Sequence, residues 1–293
     1  MRYERPETLD AAIGLLADVP SRTRVLAGGT DLLVQLRSGV IEPDLVVDIK
    51  AIPEMRDITA EDGGFRIGAA VAGAELSEHP NVKKLWPGVV EAVDLIGSTQ
   101  IQGRCTMIGN LCNASPAADS VPAMIAAGAA VRVHGPRGTR DLPVEGFITA
   151  PGQTALEDGE IVTSVLLPAR PKNSGDAYLR FIPRTEMDIA VVGAGVNVTL
   201  DDDGTCTAAR VGLGAVAATP LLVQDAADAL LGTKIDDQAL ASLGSAASAA
   251  CRPIDDKRGT IEYRTKVAGV LARRAAVIAR DRAKGIAVNG GAH

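Results

Sequence analysis

Two short stretches of this chain carry residue types suited to holding a phosphorylated ligand. The first runs from Val25 through Leu26, Ala27, Gly28, Gly29, Thr30 and Asp31 to Leu32 and Leu33: an apolar strand, two glycines, a threonine, then a helix. Glycines let the backbone approach a phosphate closely, and the helix start offers N–H groups that have no partner inside the helix. The second stretch, 106–119, sets a Gly109-Asn110 pair, the small polar residues Asn113 and Ser115 and the carboxylate of Asp119 close together behind Thr106. It is too polar for a core strand and shows no helical period. It reads as a loop whose backbone must find a partner or water. Two such loops in one domain point to two walls of one ligand site.

The chain of 293 residues is long enough for two domains and a substantial core. Hydrophobic residues make up 46% and aromatics only 2%, so the core must be aliphatic. So few aromatic stacking platforms, together with a net charge of −6, argue against nucleic acid. No apolar run is long enough to span a bilayer, and the N-terminus lacks a signal-peptide core, so the expected location is cytoplasmic. Cys105, Cys112, Cys206 and Cys251 include no CxxC pair, and the histidines (His79, His134, His293) are scattered. No protein metal site is expected from them. The Walker, HExxH and GxSxG patterns are missing. Gly193 and Gly195 start a pattern like the dinucleotide fingerprint, but its third position is Val198 and the segment continues as a strand. These glycines are expected to thin a packed strand.

The elements that must position the two loops follow from periodicity. Residues 7–18 place Leu9, Ala12, Ile13, Leu16 and Ala17 on one helical face. Residues 24–27 read as a strand, 31–37 as a helix and 45–49 as a strand, a βαβ unit with parallel strands. A strand over 65–70, a helix from about 74, a helical stretch 88–97, the polar loop 98–120 and an Ala-rich helix near 121–128 follow. Strands come at 131–134 and 161–167. Two prolines and a polar run at 168–175 mark a domain boundary. Beyond it, strands at 188–200 and 206–217 are joined by the turn Asp201-Asp202-Asp203-Gly204, and helices lie near 219–231, 236–251 and 260–284. The basic residues Arg273, Arg274, Arg280, Arg282 and Lys284 read mostly as an exposed face of the last helix.

Taken together, the two loops resemble those of the FAD-binding medium subunit of the molybdenum hydroxylases, the xanthine dehydrogenase and carbon monoxide dehydrogenase family. Its first flavin loop, Ala-Gly-Gly-(Thr/His/Ser)-(Asp/Ser)-Leu-Leu, is matched by Ala27 to Leu33. Its second, Thr-Ile-Gly-Gly-Asn followed by Ser-Pro-x-x-Asp, is matched largely by Thr106 to Asn110 and Ser115 to Asp119. The segment from Tyr178 through Arg180 and Arg184 to Asp188 and Ala190 resembles the start of the family's C-terminal domain, and Glu262-Tyr263-Arg264 before a long helix also fits. One position departs: Ile108 stands where the family has the first glycine of its pair. A β-branched residue at positive φ would cost about 1–3 kcal/mol, so either φ is negative there or the loop is altered.

The resemblance implies an α+β fold. Residues 1–172 would form a two-part FAD-binding domain of the PCMH (vanillyl-alcohol-oxidase and MurB) type, with subdomains of about 1–55 and 56–172. Residues 173–293 would form a small domain of antiparallel strands plus helices. FAD would lie extended between the two parts. Its pyrophosphate would rest on the N–H groups of Ala27, Gly28, Gly29, Thr30 and Asp31, next to Leu32, with the Thr30 hydroxyl adding a bond. Thr106, Gly109 and Asn110 would form the opposite wall, in the same motif as Ser115. Asp119 would accept from sugar or ribityl hydroxyls, Val162 would cover the isoalloxazine, and Arg180 would place a cation near the flavin.

The implied role is electron transfer. A large partner subunit with molybdenum cofactor would hydroxylate a substrate, and a small one with two [2Fe–2S] clusters would pass the electrons to this flavin. From there they would go to NAD, a quinone, oxygen or a carrier protein, in a dimer of heterotrimers. This chain itself would supply no catalytic acid or base. The alternatives are a stand-alone flavin oxidoreductase of the same fold and a scaffold subunit that has lost FAD.

Overall fold

The computed structural model describes residues 1–18, 22–184 and 187–288. The expectations that involve Thr185, Glu186 and His293 lie outside these residues. The chain opens with β1 (Arg2–Glu4), α1 (Leu9–Asp18), β2 (Thr23–Leu26), α2 (Leu32–Arg37) and β3 (Leu45–Asp48). Both β1 and β2 pair with β3 in parallel, in the order β1-β3-β2. All four residues of β3 are buried, as a strand flanked on both sides requires. Ala12 and Leu16 of α1 pack into the core, but Ala17 is exposed, so the buried face is narrower than expected. Strand β1 has no sequence signal of its own: it is three residues long, and none of the three is buried.

The second part runs through β4 (Ile58–Glu61), β5 (Gly64–Gly68), α3 (Gly73–Glu78), α4 (Pro80–Leu85), α5 (Pro87–Asp94), α6 (Met107–Cys112), α7 (Ser120–Ala127), β6 (Ala130–Gly135), β7 (Gly138–Pro143), β8 (Ile148–Ala150), β9 (Gln153–Thr154) and β10 (Ile161–Leu167). Its main sheet is antiparallel in the order β4-β5-β10-β6-β7. Helix α5 stops short of residue 97. The Gln102 amide donates to the carbonyls of Val93, Asp94 and Ile96, and Gly97 turns away at φ +66°.

The polar stretch 98–120 is not an unstructured loop, and this corrects the sequence expectation. It contains a 3-10 turn, Thr99–Ile101, and the helix α6, whose Met107, Ile108 and Leu111 are buried. Thr106 caps α6 by accepting the Gly109 N–H at 2.8 Å. A helix this short presents too few residues for a period to emerge.

The last part comprises β11 (Ser174–Phe181), β12 (Val192–Leu200), β13 (Cys206–Gly214), β14 (Leu221–Leu222), α8 (Gln224–Asp228), α9 (Asp237–Ala250) and α10 (Ile261–Ala283). The strands form one antiparallel sheet in that order. Strand β12 starts at Val192 rather than at 188, because Asp188 turns its carboxylate to Arg258 at 2.8 Å. The expected hairpin turn is present: Asp201 Oδ1 accepts the N–H groups of Asp203 and Thr205. Helix α10 packs on β11 and β12, and α7 packs on β12 and β13. Gly193 and Gly195 do thin the sheet: a Cβ on Gly195 would stand 2.6 Å from the Pro122 carbonyl oxygen of α7. Because side chains alternate along a strand, α7 and α10 cover opposite faces of β12.

The basic residues near the end of α10 are mostly exposed, with two exceptions. Arg273, Arg274 and Lys284 are exposed. Arg280 donates to the Ile235 carbonyl, and Arg282 bridges Glu91 of α5 to the Asp176 carbonyl of β11. Beside it, Arg170 and Asp176 form a buried pair at 2.7 Å, with Asp176 accepting the Gly88 N–H and Arg170 lying over the Trp86 ring.

Candidate functional site

The two loops face each other across one cleft of about 590 Å³, within the range of cofactor sites. One wall is the turn between β2 and α2 together with α2 itself, and the other is the start of α6 with β10. Ala27, Gly28, Gly29, Thr30, Asp31 and Leu32 line the first wall, and Thr106, Gly109, Asn110 and Val162 line the second. Ser115, Asp119 and Arg180 stand apart from the lining.

The first wall needs its glycines. Gly29 adopts φ +79°, the left-handed region that favours glycine. A Cβ on Gly28 would stand 2.7 Å from the Arg104 carbonyl carbon and 3.1 Å from Cys105 Cα, so the turn lies backbone to backbone against the second wall. Lys50 holds the turn from behind. Its ammonium donates to the Ala27 carbonyl at 2.9 Å and pairs with Asp48 at 2.7 Å. Desolvation opposes the charge on Asp48, but hydrogen bonds from Lys50 and Tyr3 together hold its carboxyl below the usual range. No local motif betrays Lys50, because it lies 23 residues from the carbonyl it fixes. The carboxyl of Asp31 is pushed up by desolvation. Thr30 makes no side-chain hydrogen bond with any described residue, which leaves its hydroxyl to a ligand.

On the second wall, Asn110 Oδ1 accepts from both the Ser120 N–H and the Ser120 hydroxyl. Its NH₂ donates to no described residue, so both protons remain for a ligand oxygen. The amides of Gly109 and Asn110 are engaged by Thr106 within α6 and are not free donors, contrary to the loop reading. Ile108 has helical backbone and is buried, so it carries no strain. Asp119 and Arg180 form a buried pair at 3.1 Å behind this wall, where Arg180 also donates to the Leu95 carbonyl. Burial pushes the Asp119 carboxyl up to about 6, against the opposing effects of Arg180 and Tyr178. Arg180 is therefore a paired cation, and its partner is 61 residues away, out of reach of any sequence motif. Cys105 and Cys112 also line the cleft, and burial pushes their thiols up to about 11 and about 12, so both are neutral.

The family model described as "FAD binding domain in molybdopterin dehydrogenase" matches residues 1–170. The chain belongs to this family. A second model, the "CO dehydrogenase flavoprotein C-terminal domain", matches residues 177–278. A putative xanthine dehydrogenase FAD-binding subunit of Escherichia coli K12 is 34% identical over 93% of each chain. The carbon monoxide dehydrogenase medium chain of Afipia carboxidovorans is 34% identical over 96% of this chain and 97% of its own length. Among solved structures, reconstituted CO dehydrogenase from Oligotropha carboxidovorans has a chain that superposes with a TM-score of 0.92, at 33% identity, covering 96% of this chain and 98% of that one. A chain of quinoline 2-oxidoreductase from Pseudomonas putida 86 gives 0.89 at 27% identity, covering 97% and 98%. The fold is thus that of the family's medium chain, and the protein is a flavoprotein oxidoreductase subunit whose cofactor is FAD.

The residues present fit that cofactor. The turn at Gly28 and Gly29 packs backbone to backbone against Arg104 and Cys105 and takes φ +79° at Gly29, so it lines the cleft with main chain, and Thr30 and Asn110 bring unused donors from opposite walls. Val162, Ile161 and Ile96 supply an apolar part to the same cleft. Among the described residues, no group of three or more His, Cys, Asp or Glu could hold a metal ion.

Proposed function

We propose that this chain receives electrons from [2Fe–2S] clusters of a small partner subunit and delivers them through FAD to an external acceptor. A large partner subunit with molybdenum cofactor performs the substrate oxidation. The relatives that are medium chains of carbon monoxide dehydrogenase support this reading. The observation that carries it is the convergence of both matched loops on one cleft. By the resemblance, the assembly is a dimer of heterotrimers. Its proposed location is the cytoplasm, where the four free cysteines would stay reduced.

FAD supplies the redox chemistry and can exchange electrons singly or in pairs. The residues of this chain bind and orient it. The N–H groups from Ala27 to Asp31 and the Thr30 hydroxyl are placed to hold the pyrophosphate, and Lys50 keeps the Ala27 carbonyl turned away from it. Asn110 donates from the facing wall. Val162 excludes water from the flavin, and Leu32 closes the first wall. Asp119 and Arg180 act as positioning residues: Ser120, next to Asp119, fixes Asn110, and Ser115 belongs to the turn that leads into α7. The division into residues 1–172, with parts 1–55 and 56–172, and residues 173–293 is likewise proposed. Two separate apolar clusters support it, one reaching from Ala12 to Tyr178 and the other from Ala177 to Ala283.

The test is the visible spectrum of the purified full chain, with the cofactor identified after release. Flavin bands with one FAD per chain are expected. A colourless chain that also takes up no added FAD overturns the reading.

A further inference from the structure

Helix α2 has the sequence Leu-Leu-Val-Gln-Leu-Arg, yet none of its residues is buried. Leu33 and Val34 are more than half exposed, and Val40 just beyond the helix is 73% exposed. A helix this short with no buried face has little stability of its own. Glycines in the left-handed region flank it: Gly29 at φ +79°, and Gly39 at φ +69° with open space where a Cβ would stand. Leu32, Gln35, Val40 and Ile41, from the helix and the turn after it, line the cleft.

A side-chain hydrogen bond joins this segment to the facing wall. Gln35 Nε2 donates to Asn113 Oδ1 at 3.1 Å, across 78 residues of sequence. Both ends are anchored. The Gln35 carbonyl accepts from Val40 N–H and the Ser38 hydroxyl, and Asn113 caps the C-terminus of α6 by donating to the Gly109 carbonyl. Outside the cleft lining, the chain after β3 is tied to the chain after β5, with the Ala70 N–H donating to the Met55 carbonyl and Arg56 paired with Glu75.

We propose that α2 and the turn after it form a strap over the cleft, latched by the Gln35–Asn113 bond, and that unlatching sets the rate at which FAD enters and leaves. The proposal rests on the reading of the cleft as the FAD site. The latch joins protein to protein, so its loss speeds both passages and leaves the affinity nearly unchanged. A direct contact to FAD would instead slow release only.

The experiment measures FAD association and dissociation by flavin fluorescence on the full chain. It compares the wild type, Gln35→Ala, Asn113→Ala and the double variant, with Gln35→Met as a replacement that keeps the stem. Both rates are expected to rise roughly fivefold in each single variant, the factor one net hydrogen bond is worth. The dissociation constant should stay within about twofold, and the double variant should be no faster than either single one. Wild-type rates in the variants, faster release without faster entry, or effects that multiply in the double variant overturn the latch. A wild type that takes up no FAD overturns the cofactor reading, and the latch falls with it.

Discussion

Substituting Gly28 by alanine adds one methyl group where the two walls meet. Its Cβ would overlap the Arg104 carbonyl oxygen and stand 2.7 Å from the carbonyl carbon, itself about 0.7 Å inside an ordinary contact of 3.4 Å, and the atoms it meets are backbone. The turn leading to Thr106 cannot give by rotating a side chain, so the glycine turn itself must retreat by at least about 0.7 Å, and further to clear the oxygen. Donors that met ligand oxygens at about 2.9 Å would then lie at about 3.6 Å or beyond, where a hydrogen bond no longer exists. Losing two bonds to a charged group, at about 1.5 kcal/mol each, weakens FAD by about 3 kcal/mol, or roughly 150-fold. The overpacking itself should cost about 1–3 kcal/mol of stability. The assay is equilibrium FAD titration by fluorescence, beside thermal unfolding of the FAD-free chain. A Gly28→Ala protein with wild-type affinity would mean that the turn does not cradle the cofactor, whatever its stability.

Gly29→Val places a β-branched residue at φ +79° and should abolish flavin retention, seen as a colourless purified chain. The Asp119 carboxyl lies at about 6 in the folded protein, above its value of about 3.9 in an unfolded chain. Its contribution to stability is therefore fully present below about pH 4 and is lost as pH rises through about 6. Relative to Asp119→Asn, the wild type should gain about 1–3 kcal/mol between pH 7 and pH 4 in urea unfolding; a pH-independent difference would refute the shift. Arg170→Met strands Asp176, whose side chain is 5% exposed, and should cost about 3–5 kcal/mol by the same measurement.

The first wall was legible because its cause is local. A strand, two glycines and a helix start lie in one short run, and parallel pairing of β2 with β3 follows from the short βαβ unit. What escaped sequence reasoning depends on partners far away in the chain. Strand β1 exists because Arg2 to Glu4 meet Leu45 to Val47, not because of its own residues. Helix α6 is too brief to show a period, and the Thr106 cap three residues before Gly109 is its one local signal. Asp119 and Arg180 each looked like a ligand group, and only the docking of α7 beside β11 turns them toward each other. The glycines of β12 announce a thinned strand, but nothing local says which helix it admits.

That helix, α7, has all eight residues from Ser120 to Ala127 buried. Its Pro122 carbonyl fills the space left by Gly195 and by Gly212 on the neighbouring strand. The seam in the sequence near 171–176, between the two matched models, is therefore not a seam in the folded body. A chain cut there would lay bare one side of the helix that follows the second wall of the cleft. Exchanging C-terminal halves between relatives would succeed only where the incoming sheet carries the same two gaps. Over evolutionary time, the cofactor half and the C-terminal half have to be inherited as a matched set.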